Sequence, residues 1–317
     1  MPPDSLARMK LTFHTLDVFT TRKFGGNPLA VVLGADRLST AQMQTITREF
    51  NLSETTFILP PDDPAHTAKV RIFFPGGEMP FAGHPTLGTA ALLAELKHKP
   101  GCSFETTVTL ELKAGLTPVR VSRIADRIHG VFTAPVVPFH APVRLPSVED
   151  AARALNLDPA DIGFDGHGLA SCEGGPRFFY VPLKSRAALE KSKILEPHWS
   201  RLLQGVNINE RISTIDAVYL YTRGGDGAGT AFRSRMYSPT GGIPEDPATG
   251  SATVNLAAQL LTAEKLADGT QRWQIEQGYE MGRPSDLTLE ADVKAGALAA
   301  VRVGGSAVRM MGGELEI

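Results

Sequence analysis

Apolar and β-branched residues dominate positions 11–19 and 29–33, which predicts two strands. The intervening Phe24-Gly25-Gly26-Asn27-Pro28 is a run of turn residues. Ser39 followed by Gln42 has the form of a capping box, and Met43, Ile46, Thr47 and Phe50 then fall on one helical face. Asn51 suits a left-handed helix end, after which Leu52-Ser53-Glu54 leads into the β-rich 55–59. Glu54 therefore sits at a helix-to-strand junction. Val70, Ile72 and Phe74 make another strand, broken at Pro75-Gly76-Gly77. From Thr86 onward Leu87, Ala90, Ala91 and Ala94 leave a helix apolar nearly all round, which predicts that it is buried.

The second half repeats this order loosely. Strand-like runs at 177–183, 217–222 and 230–237 precede the break Ser238-Pro239-Thr240-Gly241-Gly242 and a small-residue helix over 251–261. Further strands are expected at 273–277, 287–290, 299–303 and 307–311, with Gly304-Gly305 as a hairpin turn between the last two. Two glycine-rich helix starts stand out, Gly83-His84-Pro85-Thr86 and Asp246-Pro247-Ala248-Thr249-Gly250-Ser251. The unpaired N–H groups of a helix start favour an anion, so two such starts facing one cleft predict a site for a shared anionic ligand. A repeat of ~165 residues, far longer than a solenoid unit, points to two duplicated domains, with a boundary near 122–130.

Composition narrows the partner. The chain has 317 residues, 42% hydrophobic and 21% charged, enough for roughly two domains. A net charge of -2 offers no field for nucleic acid or an anionic membrane, which leaves a small molecule. Cys102 and Cys172 are too few for a disulfide framework and read as reduced thiols of a cytoplasmic protein. The first eight residues lack a signal-peptide core, and no stretch reaches the ~20 apolar residues of a spanning helix. The histidines show no metal-binding spacing, and no phosphate loop occurs, so neither metal nor nucleotide cofactor is expected. Arg233 and Arg235 share one strand face, as a cationic clamp, a subunit contact or, the more ordinary expectation, an exposed surface.

Four ordered segments carry a family resemblance: Phe24-Gly25-Gly26-Asn27-Pro28-Leu29-Ala30-Val31, Leu52-Ser53-Glu54-Thr55, Pro80-Phe81-Ala82-Gly83-His84-Pro85-Thr86, and Glu245-Asp246-Pro247-Ala248-Thr249-Gly250-Ser251-Ala252. In order and spacing the chain resembles the phenazine-biosynthesis PhzF-like family. The resemblance implies an α+β, diaminopimelate epimerase-like fold: two similar domains, each a curved mixed or antiparallel sheet wrapped around a central helix. The expected division is 1–125 and 126–298, with about 299–317 returning to the first domain. It is also compatible with a homodimer.

The related two-thiol racemases carry a cysteine before each helix start. The matching positions here are Ala82 and Ala248, and a methyl group carries no proton. The resemblance implies Glu54 as the acid/base residue, where the local pattern alone suggests a junction glutamate. His84 is a second proton carrier, a donor to substrate, or a partner of local backbone. Asp246 orients substrate, shares in proton movement, or turns the chain at Asp-Pro. Gly83, Pro85, Thr86, Gly250 and Ser251 are expected to bind a substrate carboxylate. The implied function is a cofactor-independent isomerase of the trans-2,3-dihydro-3-hydroxyanthranilate type. The alternatives are an epimerase using Glu54 with Asp246, or a metabolite-binding protein without turnover.

Overall fold

The computed structural model describes residues 9–206, 217–239 and 243–317, without the side chains of 203–206. Met1 to Arg8 and the Thr240-Gly241-Gly242 part of the expected break lie outside the described residues. All strands join one mixed sheet, and its pairings repeat. In the first half, Lys10–Val18 pairs antiparallel with Asn27–Val32, which runs parallel to Glu54–Leu59. That strand is antiparallel to Ala68–Phe74, which runs parallel to Phe104–Leu112. The antiparallel strands Gly115–Ile124 and Arg127–Thr133 follow.

The second half runs Ala170–Glu173, Arg177–Pro182, Val218–Arg223, Thr230–Ser238, Gly269–Gln277, Ser285–Lys294 and then the last strand, Ala297–Glu316. Its sequence of antiparallel and parallel steps is the same. In each half the second parallel step encloses a helix, Gly83–Lys97 in one and Gly250–Ala263 in the other. A parallel pair needs a long crossover, and here the crossover passes through the core. Accordingly Gly83 to Leu92 and Gly250 to Leu260 are all buried, as expected for helices apolar on every side. No helix among the described residues is long and apolar enough to cross a membrane.

One sequence expectation is corrected by the pairing. Gly304 and Gly305 do not turn the chain; they lie inside the single strand Ala297–Glu316. Its first part pairs with Ser285–Lys294, its middle with Arg127–Thr133, and its end with Lys10–Val18, so it closes the first half's ring of strands and ties both halves together. Glycine is needed there for closeness: a Cβ on Gly305 would lie 2.4 Å from the Phe19 ring. The boundary expected between 125 and 126 falls in the hairpin turn between Gly115–Ile124 and Arg127–Thr133.

Local signals hold where they are strong. Ser39 and Gln42 form the reciprocal capping box of the helix Thr40–Phe50, and Asn51 ends it with φ 51°. Glu54 then opens the next strand, opposite Leu29. Arg233 and Arg235, in contrast, do not make an exposed face. Arg233 is 4% exposed, stacked 3.8 Å from the Tyr279 ring centroid and paired with Glu276 and Glu280. Arg235 pairs with Glu245 and donates to the Leu189, Glu190 and Ser192 carbonyls at the end of the helix Arg186–Lys191. That helix and the chain around 276–280 cover this face of the strand.

The two central helices meet start to start. A Cβ on Gly83 would stand 2.7 Å from Gly250 Cα, and one on Gly250 would stand 3.1 Å from Gly83 Cα. Helix propensity alone favours alanine over glycine by roughly 0.5–1 kcal/mol, but overpacking of a rigid backbone contact costs about 1–3 kcal/mol. Gly83→Ala should therefore lower the unfolding free energy, whereas Gly168→Ala, with open space at its Cβ, should change it by less than about 0.5 kcal/mol. Urea denaturation of the two variants checks this; equal midpoints would contradict the constraint.

Candidate active site

The abutting helix starts bring three titratable side chains to one buried place. Glu54 is 8% exposed, His84 3% and Asp246 5%. Glu54 projects from the start of its strand, His84 is the second residue of the first central helix, and Asp246 ends the short strand Ile243–Asp246 before the second helix. Glu54 Oε2 lies 3.3 Å from His84 Nε2, and neither atom has an aligned hydrogen-bond partner. Burial, and then the nearby Asp246 carboxylate, raise the Glu54 pKa well above the ordinary carboxylate range. Burial also pushes His84 down to about 3, against the opposing effect of its hydrogen bond to the Pro28 backbone. The ring is neutral near pH 7, so its contact with Glu54 is not an ion pair. With Nε2 unbonded, Nδ1 donates to Pro28, and Nε2 faces Glu54 as an acceptor.

Asp246 is held differently. Its Oδ1 accepts from Asn27 Nδ2 at 2.7 Å and its Oδ2 from Thr249 Oγ1 at 2.6 Å, with a further bond from Ser53. Burial raises its pKa from 3.8 to about 6, and the three donors oppose that rise. Gln277 braces the same turn: its Nε2 donates to the Asp246 carbonyl at 2.8 Å and its Oε1 accepts from Thr249 N at 3.1 Å. The first half's loop completes the arrangement. Arg283 of the second half donates to the Gly25 and Gly26 carbonyls and to Asp17, while Asp17 accepts from Phe24 N. Gly26 has φ +64°, and a Cβ there would lie 2.4 Å from the Val18 carbonyl, so only glycine fits this turn.

Three of the five expected binding residues offer backbone donors at the helix starts, and two do not. Gly83, Gly250 and Ser251 occupy the first positions of their helices, where backbone N–H groups have no intrahelical acceptor; Pro85 is the third residue of its helix and has no N–H to offer. The Thr86 hydroxyl instead donates to the Ala82 carbonyl at 2.7 Å, one turn back in its own helix. Thr253 makes the same bond to the Thr249 carbonyl, so helix position matches Ala82 with Thr249. The match with Ala248 is thus one residue off, and neither position carries a thiol. Asn27, Ser53, Thr249, Gln277 and Arg283 carry the geometry without having been assigned a role from sequence. Asn27 and Ser53 lie inside the recognised segments; Gln277 and Arg283 had no local signal. No group of three or more His, Cys, Asp or Glu suited to a metal ion occurs among the described residues.

Comparison with known proteins gives the family. The family described as phenazine biosynthesis-like protein (PhzC-PhzF) matches residues 16–313. The chain belongs to this family. It is 40% identical over 304 residues to an uncharacterized isomerase of Mesorhizobium japonicum, covering 95% of this chain and 97% of that one. It is 35% identical over 296 residues to the trans-2,3-dihydro-3-hydroxyanthranilate isomerase of Pseudomonas aeruginosa, covering 93% and 95%. A PhzF family phenazine biosynthesis protein of Bacillus anthracis has the same fold, with a TM-score of 0.83 at 24% identity over 98% of this chain and 100% of that one. Together these relatives make the PhzF-like chain an isomerase.

The raised Asp246 pKa has a stability consequence with a definite sign. A carboxyl that binds its proton more tightly when folded contributes stability below its unfolded pKa, and that contribution is lost as pH rises through the folded value. Between pH 3.8 and about 6 the wild type should therefore lose about 2–3 kcal/mol relative to Asp246→Asn. Chemical denaturation across this range measures the difference, and parallel pH curves would show that Asp246 titrates as an ordinary carboxylate.

Proposed function

We propose that this PhzF-like isomerase moves a proton between carbons of a small carboxylate-bearing metabolite without a cofactor, with Glu54 as the acid/base residue. The observation that carries the reading is the pairing of a buried, proton-retaining Glu54 with Asp246 from the opposite half, beside two abutting helix starts. The two halves are read as duplicated domains, each curved around its central helix, with the substrate held between them.

The chemistry follows from the parts. N–H groups at Gly83, His84, Gly250 and Ser251 hold the substrate carboxylate and stabilise the charge that develops beside it when an adjacent C–H is broken. Glu54 in its ionised form takes the proton, the electron pair shifts through an allylic system, and the neutral Glu54 returns the proton at the far carbon. No atoms are gained or lost, and no oxidation occurs. A pKa raised by burial brings a carboxylate closer to the basicity that carbon deprotonation requires. His84 Nε2 steadies the protonated Glu54 by accepting its hydrogen bond, and Asp246 orients the substrate from the other side. Trans-2,3-dihydro-3-hydroxyanthranilate, named for the Pseudomonas aeruginosa relative, is the first substrate to test.

Epimerisation is the second reading. The origin of Glu54 and Asp246 in opposite halves favours it, because a bound stereocentre would meet one carboxyl on each face. Mass-spectrometric measurement of deuterium uptake from heavy water distinguishes the readings. Glu54→Gln should lower uptake at least ~100-fold with substrate affinity largely kept, and unchanged uptake would remove Glu54 as the base. Wild-type uptake should fall on the acid side of a midpoint well above 4.5, the ordinary glutamate value. Inversion of a stereocentre, lost in Asp246→Asn, would favour the epimerase.

A further inference from the structure

Asn27 comes from the first half and reaches a turn 219 residues away in sequence. Its side chain is fully buried, and its single amide nitrogen donates twice, to Asp246 Oδ1 at 2.7 Å and to the Ala248 carbonyl at 2.9 Å. Its own Oδ1 has no hydrogen-bond partner. A buried amide with an unsatisfied acceptor carries a desolvation penalty, so a purely structural role would be met as well by a smaller apolar residue. The neighbouring Pro28 receives the His84 hydrogen bond, and Arg283 fixes the two preceding carbonyls, so Asn27, at the head of its strand, is tied down on both sides.

We propose that Asn27 is a positioning residue which, from the first half, holds the Asp246 carboxylate oriented and ionised on the second half's side of the site. The proposal rests on the reading of Asp246 as part of the reaction. A hydrogen bond donated to a carboxylate favours its charged form, and one that spans the two halves makes that charge conditional on their contact. The other groups facing Asp246 are Ser53 and Thr249, which also donate, and the acidic Glu54 and Glu245; Glu54 has His84 against it, and Glu245 is matched by Arg235 at 2.8 Å. Asn27 is thus the amide donor that offsets two neighbouring acids.

The test is a carbon-13 NMR titration of the Asp246 carboxyl in wild type and Asn27→Ala, together with deuterium uptake against pH. The expected result is an Asp246 midpoint raised by about one pH unit in Asn27→Ala, with uptake lowered about tenfold at a pH between the two midpoints. An unmoved midpoint in the folded variant would overturn the role of Asn27. A raised midpoint with unchanged uptake would instead overturn the part of Asp246 in turnover, while Glu54→Gln judges the functional reading beneath separately. Should Asn27→Ala fail to fold, the wild type still decides. Its Asn27 side-chain amide resonance should titrate with Asp246 and lose that titration in Asp246→Asn; an amide indifferent to pH would refute the link.

Discussion

Two α-helices abut at their N-termini, backbone against backbone, and the site depends on that contact. Each helix start carries a partial positive charge, so two together make a place that favours a bound anion. Glu54 and Asp246 supply acidic groups from either half, and Gly83 and Gly250 permit the approach because a Cβ on either would collide with the other. The same contact buries the carboxyls, which is the main cause of their raised pKa values. An anion-friendly place with proton-holding acids beside it thus follows from one packing arrangement.

Keeping the halves in register falls to a loop and a strand. The loop from Phe24 to Pro28 makes its hydrogen bonds mostly outside itself, to Asp17, Arg283, Asp246 and His84. The last strand passes through both halves and completes the first ring of strands. Phe19, itself at φ 65°, fills the space between Gly250 and Gly305, so the strand crossing and the helix contact share one wedge. A shift in either would be felt in the other, because packed interiors leave few voids to absorb it.

The elements most legible in the sequence are those whose signals are local. The capping box at Ser39, the left-handed end at Asn51 and the all-apolar helices each follow from residues within one or two turns of one another. Gly304-Gly305 misleads because glycine serves both tight turns and close contacts, and only the position of Phe19 says which. Arg233 and Arg235 mislead because their carboxylate partners lie as far as 47 residues away, outside their own strand. Asn27 stands in a recognised segment, yet its partner is 219 residues distant.

Residue identity and short-range spacing suffice for the two helix starts and the four family segments, and the resemblance to two-thiol racemases adds only that no cysteine stands at the positions it matches. Tertiary structure decided which glycines touch, that Thr249 and not Ala248 matches Ala82, that the Thr86 hydroxyl turns back to its own helix, and that Asn27 meets Asp246. Those facts rest on approach distances between residues far apart in the chain, and burial, which sets the charge states of the site, exists only once the halves have closed on each other.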